Sequence, residues 1–262
     1  KEVGMRNVFS IAGKELRHYF HSPIAYLVMT VYAGLCGFFF YSFTATYIMQ
    51  SFRMQSMGGM GAPPMSLNEY IIRPLLSGVL TVVLLLLLPL ITMRLYAEEK
   101  RSGTIELLLT SPLTDMQIIL GKFLGALTLY GAIVATTFLY VAILFIYGNP
   151  QAKPLIAQAL GILLYGAALL ALGMWFSTFT KNQIVAGAIS LAVFLLLFVL
   201  DWVTAYGSGM ASRVIAYMSL TTHFENFSKG VIDLSDVVFY LSVAALGIFL
   251  TARSVDALKG RA

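Results

Sequence analysis

The sequence predicts an all-α integral membrane protein with six transmembrane helices, and three observations carry the prediction. Of 262 residues, 59% are hydrophobic and only 11% are charged, whereas a soluble domain carries about 25% charge. Continuous apolar runs of about 18 residues or more read as bilayer spans, and such runs fall at 24–47, 75–93, 123–147, 155–179 and 184–203. A sixth, at 237–252, is shorter and can begin near Leu234. Finally, the 17 Lys and Arg residues divide unevenly between alternate inter-span segments. Placing the N-terminus in the cytoplasm puts 12 of them on that side and 5 on the other, so the positive-inside rule predicts cytoplasmic termini. The net charge of +5 is then topological bias and attraction to anionic lipid, with no nucleic-acid role implied.

Residues 5–22 precede the first span. Asn7, Ser10, Lys14, Arg17 and His21 recur at helical spacing, with Val8, Phe9, Ala12, Leu16, Tyr19 and Phe20 opposite them. Such a helix suits the membrane interface, as a lipid anchor or as a mechanical part of a larger complex. Ser22-Pro23 ends it and turns the chain into the membrane. No leader-like apolar core precedes that turn, so the first span is expected to be retained. Within this span Phe39, Phe40 and Phe43 can line an amphiphile-accepting cavity, or pack against neighbouring helices and the aromatic belt. Cys36, the only cysteine, reads as a small buried apolar residue.

The first outer loop offers Met49, Met54, Met57, Met60 and Met65 as soft thioether ligands for copper(I), but neither His nor Cys accompanies them there. Residues 205–236 read as one or two re-entrant or interfacial helices capping the outer face. Asp201 is the candidate membrane-embedded charge, placed at the outer edge of the fifth span.

The most polar long stretch runs from Ala97 to Lys122. Ser102-Gly103 can begin a short helix, Thr104 to Leu109, which Ser111-Pro112 stops. Thr114-x-x-Gln117 is a capping box opening the helix of the third span. Leu107, Leu108 and Leu109 have no membrane reason to lie among these charges. They form either a docking surface rimmed by charge or a patch folded back on the cytoplasmic ends of the spans.

Catalytic chemistry finds little support. No G-x-x-x-x-G-K-[ST] sequence is present to cradle phosphates, and no H-E-x-x-H or Ser-His-Asp spacing occurs. His18 and His21 lie on the interfacial helix and read as solvated; His223 lies in the outer loop. None is set within a span as an axial haem ligand would be. The chain is expected to bind no metal or cofactor and not to be an enzyme itself.

The segment EEKRSGTIELLLTSPLTDMQIILGKFLGAL, preceded by IAGKELRHYFHSP, resembles the permease subunits of bacterial ABC-2-type transporters. It looks most like permeases associated with gliding motility and is also similar to those of nitrous-oxide-reductase maturation. FENFSKGVIDLSDVVFYLSV adds to this, and the likeness covers essentially the whole chain. The pattern E-x-x-x-G-T-x-E-x-L-x-x-x-P is carried by Glu99, Gly103, Thr104, Glu106, Leu108 and Pro112.

The resemblance implies that the N-terminal helix, with Lys14, Glu15 and Arg17, is an elbow. It further implies that region 98–117, with Leu107 and Leu109, couples to a separate cytosolic ATP-binding subunit holding ATP and Mg. A second copy of the permease would complete a homodimer in the bacterial inner membrane, exporting or extracting a substrate. One rival is a non-transporting module that transmits ATP-driven motion to a periplasmic accessory protein. The other is a membrane-bound redox subunit.

Overall fold

The computed structural model describes residues 2–56, 65–105, 113–206, 209–210 and 217–259. Among the described residues the chain is helical and contains no strand. Among the same residues six helices are long and apolar enough to cross a membrane.

Helix α1 (Glu2–His21) stops where Ser22 precedes Pro23, and α2 (Pro23–Ser56) begins on that proline. Proline suits a first helical position because its missing N–H would have lacked an intrahelical partner anyway. The second span is irregular at first: Asn68–Ile72 and Pro74–Val79 form π-helical turns before α3 (Leu80–Thr92) takes up regular geometry. A turn at Met93–Tyr96 leads to α4 (Ala97–Ser102). The remaining elements are α5 (Asp115–Tyr147), α6 (Ala152–Ser177), α7 (Gln183–Tyr206), α8 (Leu220–Ser228) and α9 (Leu234–Lys259).

The capping box read from Thr114 and Gln117 is present: Gln117 N donates to Thr114 Oγ1 at 3.4 Å and Thr114 N to Gln117 Oε1 at 3.2 Å. Helix α4 departs from the expected layout. Gly103 closes this helix in the left-handed conformation with φ 73°, which a glycine reaches without steric cost; Ile105 is helical again, and the helix read onward from Thr104 lies mostly outside the described residues.

Helix α6 is the axis of the bundle. It packs against α3, α5, α7, α8 and α9. At Gly247 of α9 an added Cβ would lie 2.6 Å from the Ala171 backbone, so these two helices cross almost backbone to backbone, as small residues permit in membranes. Where water is scarce, tyrosine hydroxyls supply interhelical ties. Tyr140 donates to Ala33 O at 3.0 Å, Tyr130 to Ile162 O, and Tyr32 bonds Thr137 at 2.8 Å. Cys36 is buried beside that last pair. The first and fifth spans are the least covered, 22% and 17% buried over their most apolar windows.

Candidate functional site: a buried lysine joining three helices

At the end of the bundle that carries α1 and α4, helix α1 lies along α5. The seat is made by Gly121 and Gly125, four residues apart on α5. A Cβ at Gly121 would fall 2.6 Å from Ile11 Cβ, and one at Gly125 would fall 2.8 Å from Glu15 Cβ. This small-x-x-x-small spacing lets two helix backbones approach closely.

Lys122 stands between the two glycines and is 1% exposed. Its ammonium donates to Glu15 Oε1 at 2.8 Å and Glu99 Oε1 at 2.7 Å, and it lies 5.4 Å from the centre of the Tyr96 ring. Glu15 belongs to α1, Glu99 to α4 and Lys122 to α5, so one cation ties three elements. A buried ammonium is tolerable only with such partners. The cluster carries a formal charge of −1, and Glu99 Oε2 is buried with no hydrogen-bond partner.

Further ties fix the turn before α4. Ser177, the last residue of α6, accepts from Tyr96 N (3.0 Å) and Ala97 N (3.1 Å) and donates to Met93 O (3.1 Å). Lys100 donates to Thr178 O, and Arg94 Nη1 donates to Ser22 Oγ at 2.8 Å. Tyr19 donates to Ile91 O at 3.2 Å; burial, with Glu15 the next cause, pushes this phenol above its ordinary range, so it remains a donor. Lys259 of α9 meets Asp115 in the first turn of α5 at 2.6 Å.

A cleft of about 330 Å³ opens beside the cluster, lined by Lys14, Glu15, His18, Glu98, Glu99, Thr104 and Lys122 among others. Arg17 is exposed on α1 and accepts His21 Nδ1 at its carbonyl, 2.8 Å away. His18 lies 3.5 Å from Glu98. Thus Lys14, Glu15, Glu99 and Thr104 meet around one cleft, and Gly103 caps α4 at its edge. Glu106, Leu107, Leu108, Leu109 and Pro112 lie outside the described residues, as does most of the helix read from Thr104 to Leu109.

A second cavity, about 720 Å³, lies between α2 and the π-helical start of the second span. Phe39 and Phe43 line it together with Arg73, Ser77, Val82 and Val83. Phe40 does not line it: its ring packs 5.7 Å from Tyr140. Glu69 and Arg73 pair at its polar end, 2.9 Å apart. Met57 and Met60 of the methionine-rich loop lie outside the described residues. No group of three potential His, Cys, Asp or Glu ligands occurs among the described residues.

In the sequence Gly121-Lys122 completes the motif that resembles ABC-2 permeases, but nothing local marks the lysine as buried. The G-x-x-x-G spacing at 121–125 was the signal that could have shown α1 seated there.

The profile of the ABC-2 family transporter proteins matches residues 9–251. The chain belongs to that family. As an ABC-2 permease it is a multi-pass transmembrane transport subunit, and such subunits associate with ABC ATPases and are not themselves catalytic. Comparison with curated proteins gives no match.

Proposed function

We propose that this ABC-2 permease works as a homodimer in the bacterial inner membrane, exporting or extracting a substrate under power from a separate cytosolic ATPase that holds ATP and Mg. Both termini are cytoplasmic in this reading, so α1 is the elbow and the region after α4 is the coupling segment. The observation that carries it is the Lys122 cluster. A push delivered to the coupling segment reaches α4, and through Glu99, Lys122 and Glu15 it reaches α5 and α1 together. The thinly covered first and fifth spans offer surface to a second copy. The cavity at Phe39 and Phe43, apolar along most of its wall with an ion pair at one end, suits an amphiphile.

Gliding motility is the process the sequence resemblance favours. A second reading, transmission of motion to a periplasmic partner, draws support from α8, which is packed on α6 and α9 and would follow their movement.

The test is affinity purification of the chain with its candidate cytosolic ATPases, beside a Glu106→Arg/Leu108→Asp variant. Retention of an ATPase by the native chain and its loss from a folded variant is the expected result. Failure of any ATPase to co-purify with the native chain, under conditions that keep membrane complexes intact, overturns the reading.

A further inference from the structure

At the end of the bundle opposite α1, helix α8 folds back into the structure. Phe227 packs on Gly161 of α6, and Phe224 meets Tyr165 one turn further along α6, ring centres 6.0 Å apart. Gln158 Nε2 donates to Ser228 O at 2.7 Å. Helix α8 therefore runs antiparallel to α6. It also runs antiparallel to α9, because Tyr240 donates to Leu220 O at 2.6 Å while Asn226 Nδ2 donates to Asp236 Oδ2 at 2.8 Å. Tyr240 lies six residues into α9, which puts the first residue of α8 about 9 Å below the start of that span.

His223 sits in the middle of this arrangement, 6% exposed, and Asp236 beside it is 4% exposed. The imidazole stacks on Phe239 at 3.8 Å. Its Nδ1 faces Asp236 Oδ1 at 2.6 Å and its Nε2 faces Tyr217 O at 3.0 Å. A backbone carbonyl only accepts, and an ionised carboxylate only accepts. Both contacts consequently require a proton: one on Nε2, one held between Nδ1 and Oδ1. A neutral imidazole beside an ionised carboxylate holds only one of the two. Releasing one proton to solvent leaves a nitrogen lone pair facing one of the two oxygens, and with Nδ1–H kept on Asp236 that oxygen is the Tyr217 carbonyl, so one of the two ties is lost.

We propose that His223 and Asp236 form a proton-dependent latch in which two donations tie α8 to the start of α9 and to the Tyr217 backbone, and that it loosens to a single donation as pH rises. Two donations from one ring need two protons, so the doubly tied arrangement is favoured where the second proton is held and opposed where it is lost. Histidine is the side chain whose charge ordinarily changes near neutrality.

Other charges do not take over this role. On α8, Glu225 and Lys229 pair with each other at 2.6 Å on the exposed side. Asp233 accepts from Ser235 N at 2.9 Å. From α6 the contact is the neutral Gln158, with Lys153 in its first turn the only charged residue of that helix. The π-helical segment 74–79, which also packs on α8, has no charged residue. Helix α7 contributes Asp201 alone, whose side chain is outside the described residues. The proposal concerns the opposite end of the molecule from the ATPase and stands whether or not that coupling is correct.

The experiment uses the full chain in lipid nanodiscs. Three histidines are present, so His18→Gln/His21→Gln leaves His223 as the sole ¹⁵N-histidine signal for solid-state NMR. Hydrogen exchange of the peptide covering α8 is followed in the native chain and in His223→Gln, corrected for the intrinsic pH dependence of exchange. The expected result is a ring protonated on both nitrogens, or sharing its second proton with Asp236, at about pH 6. Protection of α8 should fall about tenfold by about pH 8.5 in the native chain and stay flat in His223→Gln. A neutral ring making no shared-proton contact at the lower pH overturns the proposal. So does native protection that does not change with pH, or an equal fall in His223→Gln.

Discussion

At one end of the bundle an ammonium lies between two carboxylates; at the other an imidazole lies between a carboxylate and a backbone carbonyl. Both clusters are buried, both draw on separate helices, and both replace solvation by directed hydrogen bonds. They differ in what they ask of a proton. Lys122 brings three donors and serves as the common cation of Glu15 and Glu99. His223 can donate twice only while the pair keeps its second proton. The first cluster fits the force-transmitting role proposed for it, and the second fits the proposed latch.

The largest expected effect comes from removing the ammonium. Lys122→Met leaves two carboxylates facing each other away from water and should cost about 3–5 kcal/mol, read as a fall in thermal unfolding temperature in detergent. Adding Glu15→Gln and Glu99→Gln should recover most of that loss; if the triple variant is no better than the single one, charge pairing is not what holds α1 and α4 to α5. At the opposite end, Asp236→Asn keeps the shape but withdraws the anion, and a loss of about 2 kcal/mol is expected at pH 6. That loss should shrink as pH rises, whereas the Lys122→Met loss should not. Tyr240→Phe removes one neutral hydrogen bond to Leu220 and should cost about 1 kcal/mol without pH dependence. Smallest of all, Lys229→Ala breaks the exposed Glu225 pair and should change stability by only about 0.3 kcal/mol, measured in the same unfolding series.

The spans were legible in the sequence because long apolar runs have few alternatives, and hydrocarbon composition leaves its mark residue by residue. Ser22-Pro23 and the Thr114/Gln117 box were equally readable, since a turn and a cap depend on neighbours in sequence. Lys122 was not, because its partners lie 23 and 107 residues away and nothing local distinguishes a buried ammonium from a solvated one. His223 looked like a loop residue for a similar reason: it is enclosed by Asp236 and Phe239 of α9, 13 and 16 residues on, together with Tyr217. Gly103 shows a different limit, since the sequence around it did not announce that a separate helix, Ala97–Ser102, would close on it in the left-handed conformation. Phe39 and Phe43 face the larger cavity while Phe40 turns to Tyr140, a division set by where α5 crosses α2, which hydropathy does not encode.

The Lys122 cluster also imposes an order on biogenesis. Translation delivers Glu15 first and Glu99 later, and the cation that bridges both emerges only at the head of the third span. Until then the two acids have no common partner, and the glycine groove that seats α1 does not yet exist. The N-terminal helix therefore docks after synthesis of the third span has begun, and a nascent chain halted before residue 122 would leave it on the membrane surface.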